Sequence, residues 1–186
     1  MEDNENKIEA PVIEHGFIQE VGKEEVEVKN EDIKEPTDFT LRLVSPHKKV
    51  SRDVTDSDIP RLLDEAKILY NLCYSMVGIY PGAYAVHHSQ IDDKDPLNFF
   101  VTANKEIIIN PVITRHTKTT VDSKEGCVTF SDKPEKIIQR YHKIEVDYRT
   151  LDNDGKLTDI IHTNVQGKNA FILQHEIDHA SSKYIY

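Results

Sequence analysis

The spacing of apolar and polar positions predicts one long amphipathic helix in the first half of the chain. Apolar residues recur every three or four positions over 59–77, which places them on one helical face. Residues 55–58 offer N-caps, Pro60 suits the first turn, and the Pro-Gly pair at 81–82 ends the pattern. Cys73 lies on the apolar face, where we expect a buried core thiol.

Short apolar runs after this helix predict β-strands. The runs cover residues 99–101, 107–109, 117–121, 137–148 and 157–162. Asn110-Pro111 is expected to end the second run, because proline has no N–H to donate to a neighbouring strand. Asp154-Gly155, between the last two runs, is a hairpin signal.

A second helix is predicted at the end of the chain, over residues 167–181. The order of elements is therefore extended chain, long helix, several strands and a final helix. This order favours an α+β fold, with antiparallel β-sheets wrapped around a central metal-binding helix and a second long N-terminal helix.

Charge divides the chain into two parts. Residues 1–38 contain 13 acidic and 4 basic side chains, whereas the remaining residues contain 20 and 19. We interpret residues 1–38 as an acidic, disordered N-terminal extension and residues 39–186 as one folded domain. A nearly neutral domain argues against direct binding to nucleic acid, which requires clustered lysine and arginine.

The remaining composition suggests a location for the protein. No apolar run approaches 18 residues, and the N-terminus lacks the basic start and apolar core of a secretory signal. Cys73 and Cys127 do not form a disulfide framework. We therefore expect a cytoplasmic protein in a reducing compartment, without a membrane span.

The main candidate for chemistry is the H-E-x-x-H pattern of the last helix. His175 and His179 stand four positions apart, so both imidazoles project from one helical face and can bind one metal ion. Glu176 can exchange protons with a water at that ion, which suits hydrolysis of an amide-like bond. The same pattern also occurs in unrelated helices, where the side chains are exposed and solvated.

A catalytic metal site of this kind needs a third protein ligand and one open position. Cys127 is the candidate, because it falls between predicted strands and Gly126 lets the backbone approach closely. A zinc endopeptidase with this pattern usually takes its third ligand downstream of the helix. The seven residues after His179 contain no His, Glu, Asp or Cys, so this alternative is weak.

Two blocks of sequence resemble the motifs of the peptide deformylase family. Residues 125–129, Glu-Gly-Cys-Val-Thr, resemble the family motif E-G-C-[LV]-S/T. Residues 174–179, Gln-His-Glu-Ile-Asp-His, resemble its Q-H-E-x-D-H motif and follow in the expected order. Asn110-Pro111 is similar to the N-P that usually precedes the cysteine motif.

The family's remaining motif, G-φ-G-φ-A-A-P-Q, is degenerate in residues 83–90, which keep the alternation and Gln90. Ala83 and Ala85 replace the glycines, and His87 and His88 replace the small alanines. Three interpretations of the two histidines are open: extra metal ligands, lining of the substrate cleft, or strand residues that alternate between two faces. We favour the last.

The resemblance implies a metal-dependent hydrolase that removes the N-formyl group from the initiator methionine of nascent polypeptides. The Gln90 amide and the Val128 backbone N–H would polarise the formyl oxygen, and Glu176 would transfer the proton. In relatives the ion is usually Fe²⁺, with Zn²⁺ or Ni²⁺ able to replace it. One such divalent ion would be held by Cys127, His175 and His179.

The expected partners are N-formylmethionyl peptides, including nascent chains at the ribosome, and we expect a monomer. The resemblance places such a protein in a bacterial or phage-infected cell, with an organelle as another location. The alternative is a catalytically inactive deformylase-like binding protein that keeps a structural metal. A cleft blocked by His87 or His88, or a fourth protein ligand, would favour that alternative.

Overall fold

In the computed structural model of the chain, residues 43–79 and 84–186 are described, except for the side chains of 74–79. The extension expected at residues 1–38 and the Pro-Gly pair at 81–82 lie outside the described residues. Residues 43–51 have no regular secondary structure and lie over the folded core, as the sequence suggests. Two backbone hydrogen bonds, Val44 to Gln90 and Ser51 to Ala180, hold this segment in place.

Helix α1 spans Ile59–Ile79, as the apolar spacing predicts. Thr55 and Asp58 form a capping box around the 3₁₀ turn that precedes it, which satisfies backbone N–H groups at the start of the helix. The Cys73 thiol is fully buried, and burial raises its pKa to about 12, so it is an inert core residue. The apolar face of α1 buries Leu62, Ala66, Leu69, Leu72 and Cys73.

Within residues 43–79 and 84–186, seven strands form two antiparallel sheets. They are β1 (Ala85–His87), β2 (Phe99–Thr102), β3 (Ile107–His116), β4 (Thr120–Glu125), β5 (Lys136–Tyr141), β6 (Lys143–Arg149) and β7 (Ile161–Gln166). One sheet has the order β1-β2-β3-β6-β7, while β4 and β5 form a separate two-stranded ribbon. Helix α2 follows as Lys168–Ala180.

The larger sheet lies between the two helices. Its side chains alternate between the two faces, so each face packs against one helix. Val86 and Phe99 pack with α1, whereas Ala85 and Phe100 pack with α2. On its other side α2 meets the ribbon, where Gln174 exchanges two hydrogen bonds of 2.9 and 2.8 Å with the backbone of Tyr141 at the end of β5. Helix α2 is therefore the central helix, and the α+β prediction is confirmed.

The expectation that Asn110-Pro111 ends a strand is wrong, because β3 continues to His116. The pairing of β3 with β6 shifts register between Ile109 and Val112, and Asn110 adopts a φ of 51°. Asparagine tolerates this left-handed conformation better than most residues, and a bulge accommodates a proline that has no N–H. Both polar atoms of the Asn110 side chain bond the backbone of Val54, at 2.8 and 2.9 Å.

Two other strand predictions have the wrong bounds. The run at 117–121 gives a strand that begins only at Thr120. The run at 137–148 divides at His142, and its halves, β5 and β6, belong to different sheets. The sequence does not mark this division, because no proline or glycine stands between the two halves.

The hairpin signal at Asp154-Gly155 gives a tight turn rather than a turn between long strands. Gly155 has a φ of 73°, which favours glycine, and its N–H donates to the Asp152 carbonyl. Only an isolated bridge between Leu151 and Leu157 flanks the turn. The strand expected at 157–162 begins at Ile161 instead.

Candidate metal centre

The structure brings together the three side chains expected to bind metal. Cys127 follows β4 at the N-cap of a short 3₁₀ turn, whereas His175 and His179 lie one turn apart on α2. The Cys127 sulfur is 3.4 Å from Nε2 of His179, and the donor atoms of all three residues lie within 4.8 Å of one another. No other His, Cys, Asp or Glu joins this group within residues 43–79 and 84–186.

The spacing of these atoms fits a divalent transition metal. With metal–sulfur bonds of about 2.3 Å and metal–nitrogen bonds of about 2.0 Å, a tetrahedral site places sulfur and nitrogen about 3.5 Å apart. The separation of 3.4 Å between Cys127 and His179 is close to this value. One thiolate and two imidazoles also leave a fourth position for water or substrate, and they suit iron, nickel or zinc.

Glu125 contacts the first of the two candidate histidine ligands. Its Oε2 lies 3.0 Å from Nδ1 of His175, which leaves Nε2 of that ring to face a metal ion. Arg140 donates two bonds of 2.8 Å to the same carboxylate and a third bond to Asp178 on α2. Burial opposes ionisation of Glu125, but the bonds from Arg140 and His175 prevail and lower its pKa to about 2.

The two histidines differ in their protonation. Burial, followed by the charge of His175, lowers the pKa of His179 well below its usual range, so the ring is neutral and can bind metal. Burial acts on His175 in the same direction, but contacts with Cys127 and Glu125 outweigh it and raise the pKa to about 10. A metal ion must therefore displace a proton from His175.

Glu176 lies at the inner end of the same site. It is 3% exposed, and its Oε2 atom has no hydrogen-bond partner among the described protein atoms. Burial raises the pKa of Glu176 to about 7, with a smaller opposing effect from His175. A carboxyl group with this pKa can both accept and release a proton near neutral pH.

Gln90 also reaches the cysteine turn. Its Nε2 donates to Oγ1 of Thr129 at 2.9 Å and lies 3.8 Å from the sulfur of Cys127. Its Oε1 accepts the N–H of His87 at 2.8 Å, which fixes the orientation of the amide. Val128 follows Cys127 directly and lines the same cleft.

His87 and His88 are both fully buried and do not line the cleft. The interpretation that both are strand residues is corrected, because only His87 lies in β1 and His88 begins the 3₁₀ turn that follows it. The two rings lie on opposite sides of the sheet, and neither side is solvent. The His87 ring lies 6.4 Å from that of His179 on the α2 side, while His88 stacks on Phe99 at 4.9 Å on the α1 side. Burial lowers the pKa of His87 to about 3, so it is a neutral core residue.

A second cluster of possible ligands, Glu65, His88 and Asp92, is better explained as an ion-pair network. Arg61 binds both carboxylates, at 2.9 Å from Glu65 and 2.6 Å from Asp92. His88 accepts the N–H of Leu97 through Nδ1, so its Nε2 carries the proton and donates to Glu65 at 2.6 Å. Both ring nitrogens are used, and the cluster fastens the turn after β1 to α1.

A cleft of about 600 Å³, a size typical of ligand sites, lies beside the candidate metal ligands. Its walls are the edge strands β1 and β4, the turn after Cys127 and the first half of α2. Aromatic and aliphatic side chains on the α2 side include Phe171 and Ile172. A ligand group bound at the fourth metal position would therefore lie at the inner end of the cleft, close to these apolar side chains.

A central H-E-x-x-H helix, a cysteine from a strand turn and a buried carboxyl group define a metallohydrolase of the α+β class. A sequence model of the family described as polypeptide deformylase matches residues 48–186. The chain therefore belongs to the polypeptide deformylase family. Members of this family are metallohydrolases that remove a formyl group, and this chain is an enzyme of that type.

Individual relatives agree with this assignment. The peptide deformylase of Orientia tsutsugamushi (strain Boryong) is 29% identical over 143 residues, which is 71% of this chain and 75% of that protein. A deformylase from the Vibrio parahaemolyticus bacteriophage VP16T, solved in complex with actinonin, has a TM-score of 0.57 and 26% identity, covering 77% of this chain and 99% of that chain.

The peptide deformylase of Thermotoga maritima shares the fold, with a TM-score of 0.59 and 24% identity, over 80% of this chain and 90% of that chain. Among residues 43–79 and 84–186, neither helix is long and apolar enough to cross a membrane.

The sequence did not reveal Arg140 and Thr129 as parts of the site. Arg140 is buried at 5% exposure although it lies in a strand with exposed neighbours. Nothing in the local pattern distinguishes it from a solvated arginine. Glu125 and Asp178 belong to the two sequence motifs, and the structure connects both of them through Arg140.

Proposed function

We propose that this protein removes the N-formyl group from the initiator methionine of nascent polypeptides. The observation that supports it most is the convergence of Cys127, His175 and His179 at one end of a peptide-sized cleft. We propose residues 39–186 as the catalytic domain and residues 1–38 as an acidic extension. Fe²⁺ is the proposed native ion, as in relatives, with Zn²⁺ or Ni²⁺ able to replace it.

A divalent ion held by these ligands would polarise a water molecule and the formyl carbonyl group that the water attacks. Glu176 takes a proton from the attacking water and delivers it to the departing amine nitrogen. The new C–O bond forms first and gives a tetrahedral formyl carbon, and the C–N bond then breaks as the amine nitrogen is protonated, so that the products are formate and a free α-amine. Burial raises the pKa of Glu176 to about 7, and a carboxyl group with this pKa can exchange protons near neutral pH, which supports the role.

Gln90 and Val128 stabilise the negative charge that develops on the formyl oxygen. The amide of Gln90 is held near the cysteine by its bonds to His87 and Thr129, so it needs no reorganisation during the reaction. The backbone N–H of Val128 is the second proposed donor. Preorganised donors of this kind act strongly where water is excluded.

The substrate enters as an extended peptide. Within the described part of the chain β4 pairs with β5 alone, so the other edge of β4 can accept a further strand. Peptides that begin with N-formylmethionine, including chains emerging from the ribosome, are the proposed partners of a monomeric enzyme. The site of protein synthesis then sets its location: the cytoplasm of a bacterial or phage-infected cell, or an organelle.

Release of formate from formyl-Met-Ala-Ser by the metal-loaded protein tests this function. We expect turnover with Fe²⁺, and the Glu176→Gln variant should retain the ion while losing nearly all turnover. Glu145→Gln is the matched control, since Glu145 lies on β6 and does not line the cleft. Absence of turnover with Fe²⁺, Ni²⁺ and Zn²⁺ would refute the proposal, and an active Glu176→Gln variant would refute the proton-transfer role.

The alternative of an inactive binding protein predicts a closed site. The buried positions of His87 and His88 leave the cleft free, and the metal group has three protein ligands rather than four among the described residues. Both observations favour the enzyme. A protein that binds one ion and formyl-peptides but releases no formate would be the binding protein.

A further inference from the structure

The outer part of the cleft contains two lysines that face aromatic rings. Lys168, the first residue of α2, places its Nζ 3.8 Å from the centre of the Tyr84 ring beside β1. On the opposite wall, Lys133 lies 4.7 Å from Phe130 and 4.8 Å from Tyr186. All of these residues except Tyr186 line the cleft. Both walls of the cleft therefore hold an ammonium group at a defined position.

Neither lysine forms an ion pair with a carboxylate in the part of the chain that the structure describes. An aromatic face attracts a cation but does not use its three N–H donors in ordinary hydrogen bonds. Lys133 and Lys168 are therefore held in place while their donors stay available to a ligand.

The carboxylates of the cleft are already engaged. Glu135 pairs with Lys124 at 2.6 Å, and Glu125 pairs with Arg140. Asp122 and Ser123 are neighbours on β4, so their side chains point to opposite faces of the ribbon. Asp122 accepts a hydrogen bond from the amide of Gln139. The outer cleft is lined by three lysines and two carboxylates, Lys124, Lys133, Lys168, Asp122 and Glu135, and keeps one positive charge in excess. Residues 39–186 as a whole carry 20 acidic and 19 basic side chains.

We propose that this cleft selects formyl-methionyl peptides with acidic residues after the methionine, and that Lys133 and Lys168 bind their carboxylates. This proposal rests on the proposed deformylase function. Successive side chains of an extended peptide point to opposite sides, so two acidic residues in a row can reach the two walls. Exposed ion pairs contribute modestly, which predicts a preference of about 3- to 10-fold rather than strict specificity.

The test compares kcat/KM for formyl-Met-Asp-Glu, formyl-Met-Ala-Ser and formyl-Met-Lys-Lys with the full, metal-loaded chain. The acidic peptide should exceed the neutral one by about 3- to 10-fold at low salt, and the basic peptide should be the poorest. Raising the ionic strength to about 1 M should remove most of the difference, because surface charges are then screened. Equal kcat/KM values at low salt would overturn the proposal.

Variants assign the preference to the two lysines. In the double variant Lys133→Met/Lys168→Met, the ratio of kcat/KM for the acidic and neutral peptides should fall close to one. Lys156→Met is the control, since Lys156 lies outside the cleft beside the turn at Gly155, and it should keep the preference. A preference that survives in the double variant would contradict the assignment.

Measurements of peptide binding test the acidic preference separately from the proposed reaction. The dissociation constants of the same peptides, measured with metal-loaded Glu176→Gln protein, should show the same order without any cleavage. Tighter binding of the acidic peptide without turnover by the wild-type protein would refute the deformylase function alone. Turnover of all three peptides at equal kcat/KM would refute the acidic preference alone.

Discussion

Glu125 and His175 are 50 positions apart in the chain, and a carboxylate oxygen of the first lies 3.0 Å from Nδ1 of the second. This bond selects the ring nitrogen of His175 that can face a metal ion. Arg140 holds Glu125 in turn through two bonds of 2.8 Å. The orientation of His175 therefore depends on β4, β5 and α2, which meet only in the folded protein.

We predict that Glu125→Gln weakens metal binding about 10- to 100-fold, because an outer carboxylate fixes the orientation and basicity of a ligating histidine. Competition with a chromogenic chelator measures the affinity for Zn²⁺. Glu145→Gln serves as the control, since the Glu145 carboxylate pairs with the exposed Arg115 at 3.5 Å. Equal affinities in the wild-type protein and Glu125→Gln would show that His175 needs no such orientation.

Gln90→Leu should lower kcat about 100-fold through loss of one donor to the developing oxyanion. Metal affinity should be unchanged, because the amide nitrogen lies 3.8 Å from the Cys127 sulfur and is not itself a ligand. Formate release and metal content would be measured on the same preparation. Gln139→Leu, on the exposed ribbon, is the matched control. Full activity in Gln90→Leu would remove this residue from the mechanism.

Tyr184 is predicted to support the metal ligands by packing. Its ring lies 5.2 Å from that of His179 and 5.8 Å from that of Phe130, which belongs to the turn after Cys127. Tyr184→Ala should destabilise the protein by about 1–3 kcal/mol in urea unfolding and weaken metal binding. Tyr184→Phe keeps the ring contacts and loses one hydrogen bond of 3.4 Å from His47, so it should resemble the wild type.

The contrast between the two Tyr184 variants is the informative result. If Tyr184→Phe were as defective as Tyr184→Ala, the hydroxyl group rather than the ring would matter. If both variants bound metal as the wild type does, the ring contact with His179 would have no role in the site.

Asp58 is predicted to stabilise the start of α1 in a pH-dependent way. Hydrogen bonds from Arg52 hold the pKa of Asp58 well below its usual range, although burial opposes this. The stabilisation is therefore complete above about pH 4, the pKa of an unfolded Asp, and is lost as the pH falls towards the folded pKa. Asp58→Asn should cost about 1–2 kcal/mol at pH 7.

Urea midpoints of wild type and Asp58→Asn at several pH values would measure this effect. The difference between the two should be constant from pH 7 to about pH 5 and should shrink below about pH 4. Asp64→Asn is the control on the same helix, because the Asp64 side chain is 81% exposed. A difference that stays constant down to pH 2 would exclude ionisation of Asp58 as its cause.

The sequence predicts the two helices, the class of fold and the positions of the candidate ligands, because these depend on local spacing. Apolar periodicity fixes α1 and α2, and two short motifs mark Cys127, His175 and His179. The family assignment agrees with the resemblance that those motifs carry. Each of these inferences needs only residues close together in the chain.

The sequence fails where the outcome depends on distant partners. Asn110 continues β3 through a bulge because its side chain bonds Val54, which lies 56 positions earlier. Arg140 joins the site because Glu125 and Asp178 arrive from two other elements. The burial of His87 and His88 likewise depends on which helix covers each face of the sheet. Local patterns contain no information about any of these pairings.

The most direct test of the central claim is the X-ray absorption spectrum of the zinc-loaded protein. Coordination by Cys127, His175 and His179 predicts one sulfur at about 2.3 Å, two imidazole nitrogens at about 2.0 Å and one further light atom from solvent. Cys127→Ser should remove the sulfur contribution. A spectrum without sulfur, or with four protein ligands around the ion, would contradict the open site on which the proposed hydrolysis depends.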